Sequence, residues 1–180
     1  MAVLKIVKWP AEVLETRASE VKVFDEAFRN FVRDMYETMR DEGGVGLAAN
    51  QVSDLRRVII MQIPWDDNKY SEQEEKKEWW HNKAFTFVNP VISKKTGKCK
   101  WQEGCLSFPG VYEYIDRAAE VTVRAKDEFG KDFEVEANGL LAICLQHEID
   151  HIDGVVFIKR MSRLKAGLVR KKILGVGVRA

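Results

Sequence analysis

Long apolar runs are missing from this chain. No stretch of its 180 residues approaches the roughly 18 consecutive apolar positions of a membrane span, and the opening Met1-Ala-Val-Leu-Lys5 is too briefly apolar for a signal peptide. Excess charge of either sign is missing too: 29 lysines and arginines stand against 28 acidic residues, a formal net charge of +1. That balance argues against a whole surface given over to DNA or to anionic membrane, so any basic patch has to be local. Cysteine is scarce. The three present, Cys99, Cys105 and Cys144, are an odd number with no export signal, and read as thiols of a cytoplasmic protein rather than as a disulfide framework. With only four prolines, no Pro/Ser/Gly-rich linker and no internal repeat, residues 1–180 are expected to form one domain around a single core, for which 46% hydrophobic residues suffice.

Periodicity places the elements. Phe28, Phe31, Val32, Met35 and Met39 recur at three- and four-residue steps behind Asp25, a good N-cap, and predict an amphipathic helix from residue 25 to about 41. Val58 to Ile63 and Phe85 to Ile92 read as strands. Glu120 to Lys126 alternates by twos and leads through Asp127 and Gly130 into Phe133 and Val135, the pattern of a hairpin. Asn138 is placed to cap a second helix carrying Leu140, Leu141, Ile143, Cys144, Leu145, Ile149 and Ile152, which Gly154 ends. Apolar on most sides, that helix belongs in the middle of the fold. Ser162 can cap a last helix with Leu164, Leu168 and Ile173 on its inner side. Asp66 to Lys83 is almost entirely polar apart from Tyr70, Trp79 and Trp80, and reads as a surface loop anchored by tryptophans, with a lid as the alternative.

Chemistry concentrates on the buried helix, in Gln146-His147-Glu148-Ile149-Asp150-His151. Histidines at i and i+4 stand one turn apart on one face and can converge on a metal, while the glutamate between them points toward a bound water. A helix face with ion pairs is the bland reading. It competes poorly, because two of only three histidines and a carboxylate would enter an apolar helix unpartnered, at a desolvation cost of several kcal/mol on the usual scales, of order 2–7 per polar group.

A third ligand has to come from elsewhere. The metzincin pattern fails because Phe157 stands where its last histidine would be, and the thermolysin pattern fails because residues Gly154 to Ala180 contain no Asp, Glu, His or Cys. Upstream, Cys105, Cys99, Cys144, His81 and several carboxylates remain. Cys144 shares the histidine face, but seven residues at about 1.5 Å each put it about 10 Å from His151, so it reads as a small core residue. Cys105, in Glu103-Gly-Cys-Leu-Ser107 before the turn signal Phe108-Pro109-Gly110, is the favoured thiolate, and Cys99 reads as a solvated loop residue. Gly43-Gly-Val-Gly-Leu-Ala-Ala-Asn-Gln-Val52 offers tight turns, open backbone and, in Gln51, a neutral donor for an oxyanion; it lacks the Gly-Lys-Ser/Thr ending of a phosphate loop.

Taken in order, Gly44-Val-Gly-Leu-Ala-Ala-Asn-Gln51, Glu103-Gly-Cys-Leu-Ser107 and Gln146-His-Glu-Ile-Asp-His151 resemble the three signature motifs of the peptide deformylase family. The likeness extends to Val7-Lys-Trp-Pro10, Asn89-Pro90, Asn138-Gly-Leu-Leu-Ala and a closing helix. It implies an α+β enzyme of one catalytic domain, residues 1–180, with small antiparallel β-sheets packed around the central helix that carries the HExxH motif, and a C-terminal helix. By the same resemblance, Cys105, His147 and His151 hold a divalent metal, Fe2+ first, with Zn2+, Ni2+ or Co2+ as substitutes. Glu148 serves as general base and then acid, and Gln51 and the Leu106 amide face the oxyanion. The implied reaction is removal of the N-formyl group from the N-terminal formylmethionine of new proteins, releasing formate. Val45, Gly46 and Gly104 would pair with the peptide through their backbone, and Val45, Trp101, Leu140, Ile143 and Cys144 would surround the methionine side chain.

Departures from the pattern have consequences. The excursion from Asp66 to Lys83 is longer than in compact relatives, and Tyr112 stands where many place an arginine against the distal part of the substrate. Asp150 and Arg117 are as readily a buried pair that orients a ligand as a surface ion pair. From Val155 onward eight lysines and arginines occur with no acid, which offers either a solvated basic helix or, as in bacterial deformylases, an approach to the ribosome. Two other classes share the motif: a metallopeptidase, which would need an open groove for internal peptide bonds, and a structural metal module, which would leave Gln51 without a task.

Overall fold

The computed structural model describes residues 2–63 and 82–175, so all but the last two positions of the polar excursion from Asp66 to Lys83 lie outside the described residues. Helix α1 (Glu26–Asp41) starts where the Asp25 carboxylate accepts a hydrogen bond from the Phe28 amide at 2.8 Å, as its sequence predicts. Strands follow as β1 (Gly46–Ala48), β2 (Val58–Gln62), β3 (Ala84–Thr96), β4 (Cys99–Gly104), β5 (Tyr112–Arg117), β6 (Glu120–Lys126) and β7 (Asp132–Asn138). The chain then forms helices α2 (Gly139–Ile152) and α3 (Arg163–Ile173).

The strands make two antiparallel sheets, one of five strands in the order β1-β2-β3-β6-β7 and one of the pair β4-β5. Strand β2 shows why the large sheet has a helix on each face. Its side chains alternate, and Val58 and Ile60 pack with Phe28, Val32, Met35 and Met39 of α1, whereas Ile59 and Met61 pack with Leu141, Leu145 and Ile149 of α2. A continuous apolar run is what a strand covered on both sides requires. A third cluster joins Phe108, Val111 and Ile115, around the small sheet, to Trp9 and Leu14 from the start of the chain and to Phe157 and Val169 from its end. The hairpin β6-β7 turns on Asp127, whose Oδ1 accepts from the amides of Phe129 and Lys131 at 2.9 Å.

This is the α+β arrangement expected, with α2 at its centre: every residue from Leu141 to Ile152 is buried. Three local expectations need correction. Asn138 precedes α2 without a side-chain cap bond, because it is also the last residue of β7, paired with Glu120. Ser162 does cap α3, accepting from Lys165 N, but Leu164 and Leu168 face outward at 77% and 58% exposure, while Val169 is the buried position. Cys99 opens β4 half-buried, its thiol 3.7 Å from the Ala118 carbonyl, rather than sitting in a solvated loop. Gly154 ends α2 as anticipated: its φ is +73°, and a Cβ there would meet the Glu15 carbonyl oxygen at 2.6 Å.

Candidate functional site

Helix periodicity puts His147 and His151 one turn apart on α2, with ring centroids 4.9 Å from each other. The small sheet supplies the third donor. Cys105 follows the last residue of β4, and its Sγ lies 3.2 Å from His151 Nε2. One ligand atom from each of Cys105, His147 and His151 lies within 4.8 Å of the other two, the single such group of donors among the described residues. His81, an upstream alternative, lies outside the described residues. Cys144 stays apart from this cluster as a buried wall residue, and burial pushes its thiol far above the usual range.

The surroundings fit a divalent cation. Burial alone would keep His147 neutral, but hydrogen bonds to Cys105 and Glu103 outweigh it and raise its pKa well above the ordinary value. The site therefore favours positive charge between a thiol and a carboxylate, which a bound cation would supply. Burial holds His151 neutral, the form in which imidazole ligates. A thiol and two imidazoles are a donor set for first-row transition metals.

Glu103, quoted in its motif but given no role by sequence reasoning, anchors this arrangement. Its Oε2 sits 2.7 Å from His147 Nδ1, leaving Nε2 to face the cluster, and both its oxygens accept from Arg117, at 2.7 and 2.9 Å. Burial raises the Glu103 carboxyl, yet the bonds from Arg117 and His147 prevail and hold it at about 2. Arg117 also reaches Asp150 at 2.5 Å, and Arg160 closes on the same carboxylate at 2.5 and 3.0 Å. The pair of Asp150 and Arg117 is thus buried rather than on the surface, and it continues to the exposed Arg160. The available signal for Glu103 was a carboxylate two residues before Cys105 in a segment that reads as extended, where period two places both on one side.

Glu148 projects beside the donors. It is buried, and that burial pushes its carboxyl up to about 7. Its Oε2 is without a hydrogen-bond partner among the described residues. Gly46 of β1 lies against it, close enough that a Cβ would stand 2.7 Å from Glu148 Oε1. Gln51 is held at both ends: its Oε1 accepts from Ala48 N at 2.9 Å, and its Nε2 donates to Ser107 Oγ at 3.3 Å and lies 3.6 Å from Cys105 Sγ. Ser107 was not singled out from sequence.

Part of this constellation opens on one cavity of about 540 Å³. Gln51, Cys105, Leu106, His147 and Glu148 line it together with Val45, Gly46, Trp101, Gly104, Leu140, Ile143 and Cys144, so the residues named in advance for substrate contact share one wall system. His151 lies behind that wall, 1% exposed. Lys8, Glu42 and Tyr112 are exposed residues of the lining, and the Tyr112 ring lies over Gly104, its cross-strand partner. A buried carboxylate, three converging donors and a fixed amide beside an apolar pocket can together activate water against a carbonyl carbon.

Comparison with known proteins agrees. The family model described as polypeptide deformylase matches residues 3–167. The chain is 44% identical over 173 residues to the peptide deformylase of Chromobacterium violaceum and 43% identical to that of Neisseria gonorrhoeae, in each case covering 96% of this chain and 95% of the relative. Among solved structures, a peptide deformylase from Legionella pneumophila superposes with a TM-score of 0.82 at 38% identity, covering 99% of both chains. One from Ehrlichia chaffeensis in complex with actinonin does so with a TM-score of 0.86 at 36% identity, covering 100% of both.

Proposed function

The chain belongs to the peptide deformylase family, metal-dependent enzymes that remove the N-formyl group from nascent peptides, and we propose that it works as one catalytic domain with the division of labour that follows. Cys105, His147 and His151 would hold the metal. When bound, a divalent cation there supplies Lewis acidity, lowering the pKa of water and polarising the formyl carbonyl. The convergence of those three donors beside the buried Glu148 carboxylate carries the reading.

The peptide enters extended, with the backbone of Val45, Gly46 and Gly104 pairing with it as to an added strand. Its methionine side chain packs against Val45, Trp101, Leu140, Ile143 and Cys144. Glu148 takes a proton from the attacking water, for which a pKa of about 7 suits it near neutrality, and later delivers that proton to the leaving amine. Gln51 Nε2 and the Leu106 amide donate to the oxyanion as charge builds, and a preorganised donor of this kind contributes about 2.7 to 4 kcal/mol. One water is consumed, the C–N bond breaks, and formate and a free N-terminal amine result.

The resident metal is Fe2+ on the strength of the family resemblance, with Zn2+, Ni2+ and Co2+ able to replace it, since the donor set suits each of these ions. The basic face of α3 would bring the enzyme to the ribosome in the cytoplasm; removing Lys171 and Lys172 should weaken co-sedimentation with ribosomes, and unchanged binding refutes that contact. No helix among the described residues is long and apolar enough to cross a membrane. The central test is anaerobic turnover of a formyl-Met tripeptide, with its acetylated twin as control, by wild type and Glu148→Ala of verified metal content. Formate release lost in the variant with metal retained supports the assignment. No release from fully metallated wild type refutes it, and cleavage of internal bonds would point to a peptidase instead.

A further inference from the structure

His147 and His151 are treated differently by the fold. The far nitrogen of His147 meets a carboxylate, Glu103, at 2.7 Å. The far nitrogen of His151, Nδ1, is buried and unpartnered among the described residues. An imidazole that ligates through Nε2 carries its proton on Nδ1, and a buried N–H without an acceptor is costly. Of the two unpartnered buried side-chain acceptors among the described residues, Glu148 Oε2 and Asn50 Oδ1, the second belongs to a residue already bonded to His151. Asn50, fully buried, donates from Nδ2 to the backbone carbonyl of His151 at 2.5 Å, while its Oδ1 has no donor. The orientation of that carboxamide is fixed by chemistry, because flipping it would set Oδ1 against a carbonyl oxygen. A spare donor and a spare acceptor thus occur on two buried residues that a hydrogen bond already joins.

We propose that Asn50 is a positioning residue for His151, its Oδ1 accepting the Nδ1 proton through one enclosed water, so that it fixes ring tautomer and aim as Glu103 does for His147. The inference rests on the reading of His151 as a metal ligand. A neutral amide on one histidine and a carboxylate on the other also makes the two imidazoles unequal donors, with His147 the more basic.

Zinc provides the probe, read by competition with a chromophoric chelator rather than by turnover. Asn50→Leu removes both functions of the side chain, whereas Asn50→Asp keeps an acceptor for Nδ1 and exchanges the amide donor for a carboxyl oxygen, which has to carry a proton to face the His151 carbonyl. Zinc affinity is expected to fall by about 10- to 100-fold in Asn50→Leu and to stay within a few-fold of wild type in Asn50→Asp. A slowly exchanging Nδ1 proton of His151 should appear in the NMR spectrum of the zinc-loaded wild type and vanish in Asn50→Leu. Equal losses in both variants would leave Asn50 as a cap on the end of α2 and overturn the proposal, as would undiminished affinity in Asn50→Leu. His151→Ala separates the two levels of the argument: zinc held with wild-type affinity there refutes the ligand assignment itself.

Discussion

Adding one methyl group at Gly46 tests the active-site reading at close range. Gly46 does not have a left-handed backbone, so alanine meets no conformational objection at this position. The obstacle is Glu148. A Cβ at residue 46 would lie 2.7 Å from Oε1, 3.0 Å from Cγ and 3.1 Å from Cδ of that side chain, the nearest being about 0.7 Å inside the 3.4 Å at which ordinary contact begins. The carboxylate must move by about that much, and a displacement of about 1 Å in a reacting group costs on the order of 100-fold in rate, or about 2.7 kcal/mol. Overpacking costs about 1 to 3 kcal/mol of stability, partly offset by the roughly 0.4 to 1 kcal/mol that alanine gains over glycine in the unfolded chain. Metal content should be unchanged, since Glu148 is not among the donors. Steady-state hydrolysis of a formyl-Met peptide by Gly46→Ala, with metal analysis and a melting curve, gives the answer. Gly167→Ala on α3, where nothing lies within 4 Å, is the control expected to keep full activity. A folded, metallated Gly46→Ala with kcat/KM within threefold of wild type would refute the placement of Glu148 at the reacting centre.

Other expectations follow from the charge network and the oxyanion donor. In metal-free protein the Glu103 carboxyl at about 2, below its usual 4.5, contributes stability above pH 4.5 that is lost as pH falls toward 2. Unfolding free energies of wild type and Glu103→Gln from urea denaturation should therefore differ by about 3 kcal/mol at pH 6 and converge near pH 2, and a pH-independent gap would contradict the assignment. Arg117→Met leaves Glu103 and Asp150 buried without the guanidinium they share, which should cost about 3 to 5 kcal/mol by denaturation; a loss under 1 kcal/mol would show that the network contributes little. Gln51→Leu is expected to lower kcat about 100- to 1,000-fold with KM and metal content little changed, and a loss confined to KM would remove Gln51 from the transition state.

Why α1 could be read from sequence and α3 only in part comes down to what fixes each helix. The stripe of α1 is one-sided and its cap local, so pattern and packing agree. On α3 the leucines favour one phase and Val169 with Ile173 another. Lys165 bonded to Glu113 at 2.6 Å and Lys172 to the Gly110 carbonyl at 3.3 Å accompany the second phase, and these are contacts with residues more than fifty positions away. The same distinction runs through the site. His147 and His151 are a local pair, legible from i, i+4 spacing, and Cys105 could be favoured on motif grounds. In the chain of Glu103, Arg117, Asp150 and Arg160, which joins β4, β5, α2 and the turn after it, the sequence offered Arg117 and Asp150 as a pair, and nothing in spacing brings in Glu103 or Arg160. Asn50 shows the limit most sharply, since its partner is a backbone carbonyl 101 residues later.

The division into two sheets has a further consequence. The small sheet shares no strand with the large one, and Cys105 lies at its end while both histidines belong to the helix packed on the large sheet. A cation held by all three is then a rivet through the seam between two slabs of the molecule, with Arg117 as a second fastening beside it. Stripping the metal should loosen that seam first, exposing the amides of β4 and β5 to exchange well before those of β2 and β6. Catalytic competence and mechanical closure of the cleft would in this way be lost together.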